Sequence, residues 1–153
     1  MCINAARETY CGYGRGHLDN AGGHVHNEVA DDEPPRSIRP DSIGLSGGFL
    51  ATREYVEAAM EGSALLLSFR GTEVNLVMEA TREKALIGLA FEGSPRAADI
   101  VGADVDNGGK VTVDEPRMYN LLKADRPLEG HLSITSTDFG FRAYTFTFSG
   151  CID

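Results

Sequence analysis

Short segments in which apolar and polar residues alternate fill most of the chain from about residue 42 onward, and this alternation limits the fold more than any other feature. Successive side chains of an extended strand point to opposite faces of a sheet, so a period of two predicts a strand with one buried face. Leu65, Leu67 and Phe69 share one such face, and a turn at Gly71–Thr72 is predicted to end their strand. The other positions that follow this period are Val74, Leu76 and Met78; Ala85, Ile87, Leu89 and Phe91; Val111 and Val113; Leu132 and Ile134; and Tyr144, Phe146 and Phe148.

One segment also fits a short helix. Met118, Leu121 and Leu122 are spaced as on one helical face, and Pro116 suits a first helical position. That helix would have about two turns, so a strand through Met118–Leu122 is favoured. Residues 48–50 and 52–56 add one or two strands at the front.

Six to eight short strands without a long amphipathic helix predict an all-β fold, an antiparallel β-sandwich or jelly roll of the galactose-binding-like type over residues 42–150. Residues 1–41 have no sustained period, are rich in glycine and contain an acidic turn at 31–35. They are predicted to form an irregular linker or wrapping loop, not a separate domain.

Length and charge exclude several classes of protein. The 153 residues suit one domain. The formal net charge is −9, with 14 Lys and Arg against 23 Asp and Glu, which argues against nucleic acid as a partner because phosphate binding needs a basic surface. No apolar run has the length of a membrane span, and no signal peptide is expected after Met1.

A calcium-loop spacing lies in the second half of the chain. Asp104, Asp106, Gly109 and Glu115 occupy positions 1, 3, 6 and 12 of such a loop, but position 5 is Gly108. The alternative is a plain turn over residues 106–109, and the flanking helices of an EF-hand are not expected. A calcium ion bound by Asp104, Asp106 and Glu115 is therefore the one cofactor that the sequence suggests, and no other cofactor is expected.

The remaining reactive residue types give weaker signals. His24 and His26, with His17 and Glu28 nearby, are predicted to be solvated rather than metal-bound, and no nucleophile elbow or other catalytic residue is identified. The three cysteines form no Cys-x-x-Cys motif; Cys11 and Cys151 are either a disulfide or free thiols. With no Trp, sugar stacking would depend on other aromatic residues, namely Tyr10, Tyr13, Phe49, Tyr55 and Tyr119.

Several segments, in order along the chain, resemble one family. Residues 7–13 (RETYCGY) are similar to a Pro-Glu-Thr-Tyr-Leu-Gly-Tyr segment, and residues 45–49 (LSGGF) to Leu-Ser-Gly-x-Trp. Residues 73–78, 104–122 and 141–148 resemble later strands. Together they are similar to the carboxy-terminal module of thioredoxin-like, DipZ-type thiol:disulfide interchange proteins.

This resemblance implies a periplasmic or other extracytoplasmic jelly roll, similar to carbohydrate-binding modules, that follows a thioredoxin domain. Phe49 stands where the family has Trp, and Cys11 where it has Leu. The favoured hypothesis is a non-catalytic accessory module whose partner is a glycan, the thioredoxin-like domain or another envelope protein. The alternatives are a calcium-stabilised carbohydrate-binding module and an independent thiol-redox protein that uses Cys11.

Candidate ligand-binding residues are Arg53, Tyr55, Glu115, Arg117 and Tyr119. The last three are predicted either to line a ligand surface or to lock a strand crossing through charge-assisted hydrogen bonds, and the lock is favoured.

Overall fold

Every regular element in the described residues is a β-strand. The structure is a computed structural model that describes residues 8–40, 42–94, 101–137 and 140–150. Its strands are β1 (Thr9–Tyr10), β2 (Val29–Asp32), β3 (Ile43–Ala51), β4 (Val56–Ala58), β5 (Ala64–Ala80), β6 (Ala85–Ser94), β7 (Lys110–Val113), β8 (Arg117–Ser136) and β9 (Phe141–Ser149). The all-β prediction is confirmed. No helix in these ranges is long and apolar enough to cross a membrane.

Two long strands, β5 and β8, organise the antiparallel β-sandwich. They pair with each other from Ala64↔Thr135 to Met78↔Arg117. Along the first part of β5 the other neighbour is β3, and along the second part it is β9. Strand β6 pairs with the end of β8, and β7 pairs with β6. The two parts of β5 and β8 therefore belong to different halves of the sandwich, and β4 joins them by pairing with both β3 and β9.

The prediction of a turn at Gly71–Thr72 is wrong. Residues 64–80 form one strand, and the ladder to β8 shifts register between Gly71 and Glu73. A β-bulge inserts an extra residue and bends a strand without ending it. A Cβ on Gly71 would lie 2.8 Å from the Ser149 carbonyl oxygen, so this glycine marks a close approach to β9 rather than a reversal.

The alternating residues form the core as predicted along most strands. Leu65, Leu67, Leu76, Ile87 and Ile134 are each at most 1% exposed. In β9 the period changes, because the ladder to β5 pairs Val77 with Thr145 and Met78 with Ala143 and so skips Tyr144. The buried face then passes from Phe141 and Ala143 to Phe146, while Tyr144 and Phe148 are half-buried.

Residues 117–122 lie in β8, which confirms the strand and excludes the helix. Tyr119 faces the core and its neighbour Asn120 faces outward, as strand geometry requires. The predicted strand at 52–56 is displaced: Thr52 and Tyr55 close a turn through a 2.8 Å backbone bond, and strand β4 begins at Val56.

The described part of the N-terminal segment lies against the sandwich. Strand β1 pairs with β9, and β2 pairs with β3. The buried Asn20 side chain bonds both the N–H and the carbonyl of Leu45, each at 2.8 Å. Residues 8–40 are thereby held at the sheet edges, and the boundary between 1–41 and 42–150 stays a prediction.

Candidate functional site

Arg117 lies at the centre of a cluster of polar side chains at the start of β8, called here the Arg117 cluster and formed with Asp104, Glu115, Tyr119 and Asn120. Its guanidinium donates to Asp104 Oδ1 at 2.8 Å and to Asp104 Oδ2 at 3.3 Å. Its Nε lies 3.4 Å from Glu115 Oε1. The same group lies 3.9 Å from the centre of the Tyr119 ring. One arginine therefore connects the loop before β7 to the turn between β7 and β8 and to the start of β8.

Asp104 and Glu115, the first and last positions of the calcium-loop spacing, are brought together by the guanidinium of Arg117. Arg117 contacts Asp104 and Glu115 and supplies positive charge between them. Asp106 Oδ1 accepts from the N–H groups of Gly108 and Lys110, each at 2.9 Å. Among the described residues no group of three or more His, Cys, Asp or Glu side chains is arranged to hold a metal ion. The turn at 106–109 is confirmed by the 3.1 Å bond from Gly109 N–H to the Asp106 carbonyl, and the calcium ion stays a prediction.

Tyr119 closes the other side of the Arg117 cluster. The residue is fully buried, and its hydroxyl donates to the Glu115 carbonyl at 2.7 Å. The same oxygen accepts from the backbone N–H groups of Asp114 and Glu115. The turn between β7 and β8 is thus fixed by a core side chain, which agrees with a lock and leaves no ring face for a ligand.

The electrostatics of the cluster agree with the same role. The hydrogen bond from Arg117 and a second one from the Asn120 N–H at 2.7 Å hold the pKa of Asp104 below its usual range, against the opposing effect of burial. The Asn120 amide then donates to Glu73 Oε2 and to Asn75 Oδ1. A polar network therefore extends from the loop across β8 to β5.

Arg53 belongs to a different part of the surface, a cleft formed where the glycine-rich turn at 12–16 packs on the turn at 52–55. Gly12 contacts that second turn so closely that a Cβ would lie 2.4 Å from the Arg53 carbonyl oxygen. Backbone bonds of 2.9 Å join Tyr13 N–H to the Thr52 carbonyl and Gly14 N–H to the Arg53 carbonyl. Only glycine allows this approach, so the spacing of glycines that marked a loop in the sequence builds a wall of the cleft.

This cleft, called here the Tyr–Arg cleft, has a volume of about 440 Å³. Its lining residues are Tyr10, Gly12, Gly14, Arg15, Arg53, Glu54, Tyr144 and Thr145. Arg15 lies over the Tyr10 ring, 4.0 Å from its centre. Arg15 and Arg53 are exposed, and within the described ranges neither makes an ion pair. The cleft is thus lined by two exposed arginines and two half-buried tyrosines.

A network of charged groups supports Tyr144 from behind the cleft. Arg142 donates to Glu57 at 2.6 Å and to Glu79 at 3.1 Å, and the Tyr144 hydroxyl donates to Glu79 as well. The bond from Tyr144, helped by Arg142, lowers the pKa of Glu79 although burial opposes it. Burial, together with the bond to Glu79, raises the pKa of Tyr144. Tyr144 is therefore a neutral donor that is held in place where it lines the cleft.

The predicted ligand-binding residues form two separate sets in the structure. Tyr55 does not line the cleft, but its ring lies 5.3 Å from that of Tyr144. Strand pairing runs from Arg117 through Met78 and Ala143 to Val56, a span of about 14 Å at ~4.8 Å per strand. Arg53 and Tyr55 are thus on the far side of β5 and β9 from the Arg117 cluster.

The structure also places Cys11 and the two neighbouring histidines that the sequence analysis considered. Cys11 is fully buried, and burial raises the pKa of its thiol, which opposes thiolate chemistry. Cys151 lies outside the described residues, so the disulfide with Cys11 stays a prediction. His24 Nε2 lies 3.0 Å from the Cys11 carbonyl, and His26 stacks on Tyr13 at 3.7 Å.

The fold and the cleft together define a class, an antiparallel β-sandwich with an open polar cleft at one edge. The chain belongs to the family described as the thioredoxin-like C-terminal domain, whose model matches residues 6–149. No curated protein matches the sequence. Membership of this family suggests an accessory role to a thioredoxin-like protein.

Part of the cleft is not evident from the sequence. Arg53 is predicted to bind a ligand and Tyr10 is among the aromatic residues considered for stacking, but neither Arg15 nor Tyr144 is predicted to bind anything. Tyr144 fits the alternation of a regular strand face, and the register shift that turns it toward the cleft has no local sequence signal.

Proposed function

We propose that this chain is a non-catalytic accessory domain of an extracytoplasmic, DipZ-type thiol:disulfide oxidoreductase, and that it binds a glycan in the Tyr–Arg cleft. The family supports the association with a thioredoxin-like protein. The observation that carries the binding proposal is the cleft itself, which half-buried tyrosines and exposed arginines line together. The Arg117 cluster has a structural role in this proposal.

The chemistry of the cleft suits a sugar. A pyranose ring has apolar C–H faces that pack on aromatic rings, and its hydroxyls accept hydrogen bonds from arginine. The volume of about 440 Å³ lies within the usual range for small-ligand sites. Tyr144 is held in place by the Glu79 bond, so little side-chain freedom is lost on binding, and this favours affinity.

The test is binding of the purified chain to a panel of neutral and acidic oligosaccharides, measured by calorimetry. Replacing Tyr144 by Leu is expected to abolish binding because it removes the ring that lines the cleft. Tyr13→Leu is the matched control, since Tyr13 is a half-buried tyrosine outside the cleft. Absence of binding to every sugar in the panel would refute the glycan proposal.

The non-catalytic part of the proposal has its own measurement. In an insulin-reduction assay the isolated chain is expected to show no turnover, because the thiol of Cys11 is buried and its pKa is raised. Turnover that disappears on Cys11→Ser would instead favour the independent thiol-redox hypothesis.

A further inference from the structure

The Tyr–Arg cleft has an unusual charge for this protein. The chain has a net charge of −9, yet two arginines and one carboxylate, Glu54, line the cleft. Within the described residues Glu54 forms no ion pair with either arginine. Carboxylates lie nearby, at Glu54 in the lining and at Glu8 beside Tyr10, but neither arginine is engaged in an ion pair within the described parts of the protein. Both guanidinium groups therefore keep donors that an anionic ligand can use.

Other arginines of the same chain show the contrast. Arg142 contacts Glu57 and Glu79, and Arg117 contacts Asp104 and Glu115. A second cleft of similar volume, about 420 Å³, is lined by two carboxylates, Glu57 and Glu61, and by one arginine. Of these two clefts, the Tyr–Arg cleft therefore has the lining suited to an anion.

We infer that the ligand of the Tyr–Arg cleft is an acidic sugar, whose carboxylate is bound by Arg15 and Arg53 while its ring packs on Tyr144. This inference rests on the proposed glycan-binding function. A planar carboxylate matches the paired N–H donors of a guanidinium, and such bonds are stronger than neutral ones. A hexuronic acid combines that carboxylate with a pyranose ring, so it uses both features of the lining.

The stacking of Arg15 on Tyr10 supports the assignment of the anion to this side of the cleft. The contact places Cζ of the Arg15 guanidinium 4.0 Å from the ring centre. Gly14 packs against the Arg53 side chain, where a Cβ would lie 2.7 Å from Arg53 Cγ. Both arginine side chains therefore pack against neighbouring residues of the cleft.

The test compares a short oligogalacturonide with its methyl ester, which has the same rings without the charge, and with a poly-glutamate peptide, which has the charge without the rings. Calorimetry is expected to show tighter binding of the oligogalacturonide than of the ester by about ten-fold or more, from a charge-assisted bond. Arg53→Gln is expected to remove most of this preference, because it weakens binding of the oligogalacturonide far more than binding of the ester. Arg36→Gln, at an exposed arginine outside the cleft, should change neither affinity.

Each other result has a defined meaning. Equal affinity for the oligogalacturonide and its ester would overturn the inference and leave the glycan proposal standing. Binding of neither would overturn the inference, and the oligosaccharide panel described above would then decide the glycan proposal. Binding of poly-glutamate as tightly as the oligogalacturonide would show that the cleft recognises an acidic peptide and would overturn both. If Arg53→Gln fails to fold, judged by its melting curve, Arg15→Gln tests the same charge.

Discussion

Removing Arg117 should lower the stability of the domain measurably, because one side chain holds the loop at Asp104 and the turn at Glu115 against β8. The substitution Arg117→Ala removes the paired bonds to Asp104, the 3.4 Å ion pair with Glu115, and the cation–π interaction with Tyr119. It also removes a 3.0 Å bond to the Met118 carbonyl. No single one of these interactions is large, so the prediction depends on their sum.

The size of the expected loss in stability follows from the exposed fractions of the two side chains. The Arg117 side chain is 38% exposed and that of Asp104 23%, so the ion pair is screened and contributes about 1–1.5 kcal/mol, less than a buried pair. The cation–π interaction adds roughly 0.5–1 kcal/mol. A destabilisation of about 2 kcal/mol corresponds to a fall in Tm of roughly 4–8 °C for a domain of this size. Asp104 keeps the Asn120 N–H as a donor, so its carboxylate is not left without a partner.

Thermal melting followed by circular dichroism at neutral pH measures this change. The control is Arg126→Ala, which removes an exposed pair with the adjacent Asp125 and should lower stability by less than about 0.5 kcal/mol. Arg117→Lys keeps the charge without the paired geometry and should fall between the two. An Arg117→Ala protein that melts within about 1 °C of the wild type would refute the lock.

The pH dependence tests the same bond independently. The pKa of Asp104 is lowered in the folded state, first by the Arg117 hydrogen bond. A carboxyl with a lowered folded pKa stabilises the protein above its unfolded value, near 3.9, and that contribution is lost as pH falls through the folded value. The stability gap between wild type and Arg117→Ala should therefore be full at pH 7 and shrink below about pH 4. Urea titrations that give the same difference in unfolding free energy at pH 7 and below about pH 4 would contradict the ion-pair explanation.

Three further predictions concern the calcium loop, the buried thiol and the glycine wall. Millimolar calcium should leave Tm unchanged relative to EDTA, whereas an ion at a hundred times its dissociation constant would add about 2.7 kcal/mol to stability, and such a rise would restore the calcium hypothesis. In a chain with Cys2→Ser and Cys151→Ser, Cys11 should react with a thiol reagent only in denaturant, since it is fully buried; fast native labelling would contradict this burial. Gly12→Ala should cost about 1–3 kcal/mol by overpacking, because its Cβ would lie 2.3 Å from the Glu54 carbonyl carbon. Gly108→Ala is its control, with the nearest atom at 3.5 Å, and equal melting of the two variants would argue against the close packing.

The fold could be predicted because its signal is local. Alternation along parts of β5, β6 and β7 is visible within a few consecutive residues, and burial of one face produces it. The predicted break at Gly71–Thr72 failed for a reason that is not local: β5 continues because β8 and β9 pair with residues on both sides of the bulge. A glycine that permits a turn also permits a close approach of another strand, and the sequence alone does not distinguish the two.

The Arg117 cluster was partly predictable for the same reason. Glu115, Arg117 and Tyr119 lie within five residues, so their contacts depend on one turn, and Asp104 entered through a loop template. The template identified a carboxylate that belongs to the cluster, and among the described residues the cation that contacts it is the Arg117 guanidinium. Spacing identifies charges that could converge; it does not identify which positive group satisfies them.

The Tyr–Arg cleft shows the limit of local reasoning most clearly. Its walls come from residues 10–15, 53–54 and 144–145, which are adjacent only because β1 and β4 both pair with β9. Tyr144 lines the cleft because the ladder skips it, and Glu79 orients it from a third strand. Within the described residues the difference between the two kinds of arginine is then chemical: Arg117 and Arg142 are each satisfied by two carboxylates, while Arg15 and Arg53 retain donors that a ligand can use. A binding site in this fold is therefore identified by arginines without ion pairs that line the same cleft, and that can be judged only after the strand register is known.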